Sequence, residues 1–369
     1  MFFFSLRTTA FRNLTDSETL INAQDVFLIG ENGQGKTNFL EAIYFCCYGS
    51  SFRGVKDSEM ACNGHSNFAA AARLTMPVIG NSCSNRESYT DILLKYEKGK
   101  KTILINEKKA EDRKELLSLS PCIVFCHEDM DFVSGTPERR RWFFDQTLSL
   151  YDPVYLDDLR RYRQVLKFRN AALKNNSLQN NPAEIASLLD VLDVQLVMYG
   201  IRLMEKRAEA VTLFSEILES LYSKISGINN ICVQYIPSWK NDDAAAALAE
   251  HRSRDIYAGL SLSGPHRDRY VFSCMGNEFA GKASTGQRRL LALLLRAAQA
   301  RRFSEMTGKK PMLLLDDVLL ELDGKKRQKF ISVLPDYNQA FFTFLPEEPF
   351  KRYQKNSTLV YNVNKGVLM

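Results

Sequence analysis

The stretch "VFLIGENGQGKT", residues 26–37, constrains this chain more than any other. Four apolar residues, Val26 to Ile29, run into an octapeptide that satisfies G-x-x-x-x-G-K-[ST] at every fixed position. The apolar run is that of a buried strand. After Thr37, Phe39, Ile43 and Cys46/Cys47 keep helical spacing. Strand, loop and helix in that order make a cradle for phosphate. Glycines let the backbone wrap closely, while loop N–H groups and the helix N-terminus point at negative charge. The motif assigns Gly30, Asn32, Gly33, Gln34, Gly35, Lys36, Thr37 and Asn38 to a nucleotide-binding loop. Lys36 is expected to reach the terminal phosphates of ATP, and the Thr37 hydroxyl to ligate Mg2+. A loop of this kind belongs to an α/β fold.

A phosphate loop needs an acidic counterpart. "MLLLDD", residues 312–317, is a continuous apolar run of the central parallel-strand type, ending in two carboxylates. Asp316 is the expected Mg2+ ligand, directly or through water. Asp317 is expected to orient or deprotonate an attacking water, and Glu321 follows closely enough to line the same cleft. Between loop and acidic strand, "STGQRR" at 284–289 opens an almost wholly apolar helix. Arg288 and Arg289 stand where the helix macrodipole disfavours positive charge. Taken alone, Ser284 reads as an N-cap.

A length of 369 residues suits two domains, or one with a large insertion. Hydrophobic content of 45% and charged content of 25% are those of an ordinary soluble protein. The net charge of +6 permits a polyanionic partner without requiring one. No stretch approaches the roughly 20 apolar residues that span a bilayer. "MFFFSLRTTAF" lacks the parts of a secretory signal, and its Phe2, Phe4 and Leu6 alternate like a first strand. The eight cysteines form no C-x-x-C pair, and Cys122, Cys126 and His127 have no second ligand pair at zinc spacing. They read as buried free thiols in a reducing, cytoplasmic compartment.

Three regimes follow along the chain. Residues 1–125 are strand-rich, with a hairpin turning at Lys98-Gly99-Lys100. Residues 126–254 are largely helical, with Leu159, Tyr162, Leu166 and Leu173 on one face. "NNSLQNNP" breaks that pattern before a long run carrying Ile185, Leu196, Leu203, Phe214 and Leu221. Two helices joined by a polar turn make an antiparallel arm. Residues 255–369 return to alternating strand and helix. The expected architecture is one mixed α/β head in two parts, 1–125 and 255–369, split by the insertion 126–254. Arg139 to Arg141 and the cluster Arg160, Arg161, Arg163, Lys167 and Arg169 are either structural or solvated cations, or contacts to a nucleic-acid backbone.

The order of phosphate loop, Ser-x-Gly-Gln helix and acidic strand is similar to that of ATP-binding-cassette ATPases. That resemblance implies that Ser284, Gly286 and Gln287 meet the γ-phosphate held by an opposite subunit. Over nearly its whole length the chain resembles the RecF family, recombination and gap-repair ATPases related to SMC-type heads. The marks are "FRN" at 11–13, "GENGQGKTNFLEAI" at 30–43, "VFCHEDMDFVSGTPERRRWFFD" at 124–145 and "YRQVLKFRNAALK" at 162–174, with "GPHRD" at 264–268, "STGQRR" at 284–289 and "LLLDDVLLELD" at 313–323. The resemblance implies an ABC-type ATPase head with an inserted helical arm, dimerising around two ATP molecules. It also implies slow, DNA-stimulated ATP hydrolysis and binding at duplex DNA beside single-strand gaps, with RecO and RecR, to load RecA. The chain departs from the family pattern at Arg269 and at His127, which stands in place of proline. It lacks the Q-loop glutamine and switch histidine of transporter relatives, leaving Thr343 as the candidate γ-phosphate sensor. Asp317, one methylene shorter than their glutamate, fits slow turnover.

Overall fold

The computed structural model describes residues 2–75, 89–175, 181–240, 243–320 and 322–369. The chain forms two compact units, Met1–Asp129 with Phe303–Met369, and Met130–Arg302. In chain order the first unit opens with β1 (Phe2–Thr9), β2 (Ser17–Leu20), β3 (Asp25–Ile29), α1 (Lys36–Tyr48), β4 (Phe68–Thr75) and β5 (Tyr89–Glu97). It continues through β6 (Lys100–Ile105), β7 (Lys108–Lys109), α2 (Lys114–Leu119) and β8 (Cys122–Phe125). The second unit holds α3 (Met130–Ser134), α4 (Pro137–Ser149), α5 (Pro153–Lys174), α6 (Pro182–Ser226) and β9 (Ile231–Ile236). After these come α7 (Ala244–Ala258), β10 (Arg269–Cys274), β11 (Asn277–Glu278), α8 (Phe279–Lys282) and most of α9 (Thr285–Thr307). The first unit resumes with β12 (Met312–Leu315), α10 (Gly324–Val333), β13 (Gln339–Phe344), β14 (Leu359–Asn364) and β15 (Val367–Leu368).

Strand composition sorts the first unit into two sheets. One, ordered β15-β14-β3-β13-β12-β8, is parallel except at β15. Every residue of β3, β8, β12 and β13 is buried, as continuous apolar runs require. The other sheet, β2-β1-β4-β5-β6-β7, is antiparallel, and β4 alternates buried and less buried positions. Helix α1 serves both. Its Phe39, Leu40, Ile43 and Phe45 share one core with Val26, Leu28, Val124, Leu314 and Phe341 of the parallel sheet and Leu6, Ala70 and Ile92 of the antiparallel one. On the opposite face of the parallel sheet, Phe27 meets Phe342 and Phe344 edge-on, and Phe125 meets Phe330 of α10.

The expected hairpin forms between β5 and β6, with Lys98 and Gly99 both at positive φ (51° and 76°), the backbone of a tight two-residue turn. β1 is a strand, but its inward residues are Phe3 and Leu6, while Phe2 and Phe4 are half-buried. A bulge between Phe3 and Ser5 breaks the strict alternation. Cys46, Cys47, Cys122 and Cys126 are buried, whereas Cys62, Cys232 and Cys274 are only half-buried. Cys83 lies outside the described residues.

In the second unit α5 and α6 run antiparallel, as their ion pairs Arg169–Asp193, Arg202–Asp158 and Lys206–Asp152 require. Leu159, Tyr162, Leu196 and Leu203 pack with Trp239, and Leu173 with Ile185. Most of "NNSLQNNP" lies outside the described residues. β10 pairs along its whole length with β9, so this unit also takes in 255–302, which the sequence pattern alone groups with the head. Among the described residues no helix is long and apolar enough to cross a membrane.

Candidate functional site

β3 delivers the glycine loop from the centre of the parallel sheet, and α1 receives it. Two glycines are obligatory for local reasons. A Cβ on Gly30 would stand 2.4 Å from the Val363 carbonyl oxygen. Gly35 caps α1 at φ 118°, where L side chains are strained, with Asn13 Oδ1 3.2 Å from any added Cβ. The loop is braced from outside. Asn13 donates to the Gly33 carbonyl (3.2 Å), and Asn38 donates to Asn13 Oδ1 (2.6 Å). The β14–β15 turn donates Gly366 N–H to the Gln34 carbonyl and Lys365 N–H to Gln34 Oε1. Gln34 is thereby committed to the C-terminal turn.

Lys36 is buried at the foot of the loop. Its ammonium donates to the carbonyls of Gly30 (2.6 Å) and Glu31 (3.3 Å), and its nearest ion-pair contact is Asp317 at 3.9 Å. Thr37 Oγ1 donates to Asp316 Oδ1 at 2.8 Å, closing the distance between α1 and the end of β12. Asp317 turns through the left-handed region (φ 53°), and its N–H donates to Thr343 Oγ1 (2.7 Å). The same hydroxyl donates back to Asp317 Oδ1 (2.7 Å). Desolvation of its half-buried carboxyl, then the neighbouring Asp317 charge, pushes Asp316 up to about 7, while the Thr37 hydroxyl pulls the other way.

A cavity of about 250 Å³ opens over this floor, lined by Asn32, Gly33, Gly35, Lys36, Thr37, Asn38 and Asp317, with Glu31 and Arg53. Gly30 contributes its carbonyl from beneath. The arrangement suits a triphosphate with a divalent cation: the glycine loop, the start of α1 and two cationic residues, Lys36 and Arg53, line the cavity, and the Thr37 hydroxyl and Asp316 carboxylate meet beside it. Arg53, Asn13 and Thr343 complete the site from distant positions. Arg53 comes with a buried carboxylate, since Glu41 accepts Arg12 Nε at 2.8 Å and stands 3.6 Å from Arg53. The "FRN" segment carried that signal in the sequence; nothing local marked Arg53.

The RecF/RecN/SMC N-terminal domain family matches residues 3–368 of this sequence. The DNA replication and repair protein RecF of Treponema pallidum is 41% identical over 360 residues, covering 96% of this chain and 97% of that protein. The chain belongs to the RecF family. The RecF protein of Lachnospira eligens is 31% identical, with 98% of this chain and 97% of the relative covered. A solved structure of the recombination mediator protein RecF-ATP in the RecFOR pathway superposes with a TM-score of 0.87 at 26% identity, covering 100% of this chain and 97% of that one. An Smc head domain from Pyrococcus furiosus shares the fold, with a TM-score of 0.55 at 16% identity and coverage of 100% and 95%. The family fold is an ATPase head of mixed α/β sheets.

The other residues singled out in the sequence fall elsewhere in this RecF-family chain. Ser284, Gly286 and Gln287 belong to the second unit. Ser284 N–H donates to Gln287 Oε1 (2.8 Å), and Gln287 N–H donates to Ser284 Oγ (3.2 Å), a reciprocal capping box. Ser284 and Gly286 are exposed, and a Cβ on Gly286 would meet nothing within 4 Å. Glu321 lies outside the described residues. The basic clusters need correction. Arg169 is fully buried and pairs with Asp193 and Asp255 at 2.6 Å each, so it offers no charge to a partner. Arg141 holds the Asp268 carbonyl, and Arg140 those of Tyr270 and Val133. Helical periodicity does not distinguish a solvated arginine from one buried against acids on another helix.

Proposed function

We propose that this chain is an ATP-dependent DNA-binding protein of recombinational gap repair, whose slow, DNA-stimulated ATP hydrolysis works as a switch. The observation that carries this reading is the loop around Lys36, a buried cation whose ion-pair contact among the described residues, Asp317, stands 3.9 Å away, on the wall of an open cavity. In this reading the triphosphate of ATP lies along Gly30 to Asn38, and Lys36 meets its terminal phosphates. Thr37 and Asp316, already in contact, hold Mg2+ in exchange for their mutual hydrogen bond. Asp317 orients the attacking water, with Glu321 as a further acid of the cleft. The exposed Ser284 and Gly286, with Gln287 fixing the helix end, dock on the γ-phosphate held by a second copy, giving an ATP-sandwiched homodimer. The dimer binds duplex or gapped DNA in the cytoplasm and, with RecO and RecR, helps load RecA. Membership of the RecF family and the full-length likeness to the RecF-ATP structure support this assignment.

The test separates the two jaws. Lys36→Ala damages the loop, and Ser284→Arg places bulk and charge where the γ-phosphate docks. Each homodimer carries one lesion in both composite sites, whereas a mixed dimer concentrates both lesions in one site and leaves the other intact. Mixing the purified variants is expected to restore ATP-dependent dimerisation, read by light scattering, and part of the DNA-stimulated ATPase. A Ser284→Arg protein that dimerises normally with ATP by itself would remove the docking role and leave "STGQ" as a cap.

A further inference from the structure

A second cavity, of about 410 Å³, lies wholly within the second unit, among α4, α5, α6 and the loop carrying His266. Trp142 forms one wall and is 38% exposed, whereas the chain's only other tryptophan, Trp239, is 1% exposed. The buried Phe132 stacks on the Trp142 ring, with centroids 5.7 Å apart and planes 24° from parallel. Trp142 lines the cavity and Phe132 does not, so the indole is braced by Phe132 on one side and reaches the cavity on another. The result is an aromatic wall held in place by the core of its own unit.

The cations around this wall come from both basic clusters. Arg139 and Arg163 line the cavity with side chains 48% and 58% exposed. Arg139 is paired to the equally exposed Asp131, an ion pair of the kind that contributes little in water and yields readily to a phosphate. Asp145 lies deeper. Arg207 and Arg163 both hold its carboxylate, so the floor is not a free anion. His266 accepts the Tyr162 hydroxyl at Nδ1, and burial pushes it down to about 4, leaving it neutral.

From this geometry we infer that the cavity binds an unpaired nucleotide of DNA, with the base stacked on Trp142 and flanking phosphates on Arg139 and Arg163. The inference rests on the DNA-binding reading above and deepens it by naming the strand form and the surface. A base inside a duplex has both faces covered by its neighbours. Only an unstacked base can lay a face on the indole, and such stacking is tolerant of sequence. The volume lies within the range of small-ligand pockets, about 300–1,000 Å³, and suits a single nucleotide.

Oligodeoxythymidylate and a blunt duplex of equal length, each added to the full-length protein with Mg2+ and a non-hydrolysable ATP analogue, provide the test. The oligonucleotide is expected to quench tryptophan emission, since Trp142 is the exposed fluorophore, and the duplex is not. Trp142→Ala should weaken oligodeoxythymidylate binding about tenfold or more. It should leave duplex affinity within about twofold, while Trp142→Phe, which keeps a ring and the fold, retains most of the affinity. Arg139→Gln and Arg163→Gln should each flatten the salt dependence of strand binding by about one unit. Absence of quenching, equal loss of duplex affinity in Trp142→Ala, or equal competition by free dTMP overturns the assignment. Failure of every DNA form to bind the native protein would instead overturn the DNA-binding reading beneath it.

Discussion

Lys36 and Arg207 are buried to almost the same degree, 3% and 2% exposed, one in each compact unit. Their surroundings are opposite. Arg207 donates to Asp145 at 2.7 Å, to Asp268 at 2.8 Å and to the Pro265 carbonyl at 2.8 Å, so its charge is answered by two buried carboxylates. Lys36 has two carbonyl oxygens, and its ion-pair contact is 3.9 Å away on a carboxylate about one-third exposed. A buried ion is costly unless it is matched. The matched cation is part of the fold. In the function proposed above, the less closely matched one is held in place by the backbone for an incoming phosphate, which is how a binding site would differ from a structural ion pair of similar depth.

The largest expected effect breaks the matched member. Arg207→Met leaves Asp268 buried without its cation and Asp145 with Arg163 alone, and should cost about 3–5 kcal/mol of stability, read from urea unfolding. If the variant unfolds at the native midpoint, the pairs are not structural and the contrast collapses. Lys36→Ala tests the other member. The fold should survive within about 1 kcal/mol, while ATP affinity falls on the order of 10–100-fold by titration with a fluorescent analogue. Thermal instability in Lys36→Ala, with unchanged ATP affinity, would reverse the roles assigned to the two cations.

What the sequence made legible follows the same division. Gly30 to Thr37 is contiguous, so spacing alone exposes it, and "MLLLDD" declares itself because an apolar run that ends in two acids has few structural uses. The parallel sheet, the β5–β6 hairpin and the paired long helices were readable from periodicity for the same reason. Arg169 was not. Its place among charged neighbours on α5 resembles a solvated face, and only tertiary packing brings Asp193 and Asp255 against it. Thr343 and the "FRN" segment with Asn13 were marked in the sequence, but Arg53 was not, and no local pattern shows that the three meet at the first site from separate segments. Trp142 follows Arg141 and leads into the apolar pair Phe143-Phe144 on α4, where an aromatic is ordinarily core; its exposure is a fact of packing.

The smallest effect sharpens the contrast from the anionic side of the same site. With no ligand, the first site holds not only an under-matched cation but a crowded acid, since Asp316 is pushed up to about 7 by desolvation and then by Asp317. A carboxyl whose folded value lies above its unfolded one keeps a proton in the folded chain that the unfolded chain has released. Between about pH 4 and pH 7 the folded state binds more protons, so this group's contribution to stability falls as pH rises through that window and is level above it. Asp316→Asn keeps an acceptor for Thr37 but has no charge to acquire. The ligand-free variant should match the native protein near pH 5 and gain on it up to about pH 8. Solvent reaching the half-buried carboxyl limits the difference to about 1 kcal/mol. Urea midpoints at pH 5, 6, 7 and 8 measure it, and taking the difference between the two proteins cancels the titration of other groups. A difference that is constant with pH, or that shrinks as pH rises, would mean that Asp316 is ionised throughout and that the ligand-free site is better matched than its geometry indicates.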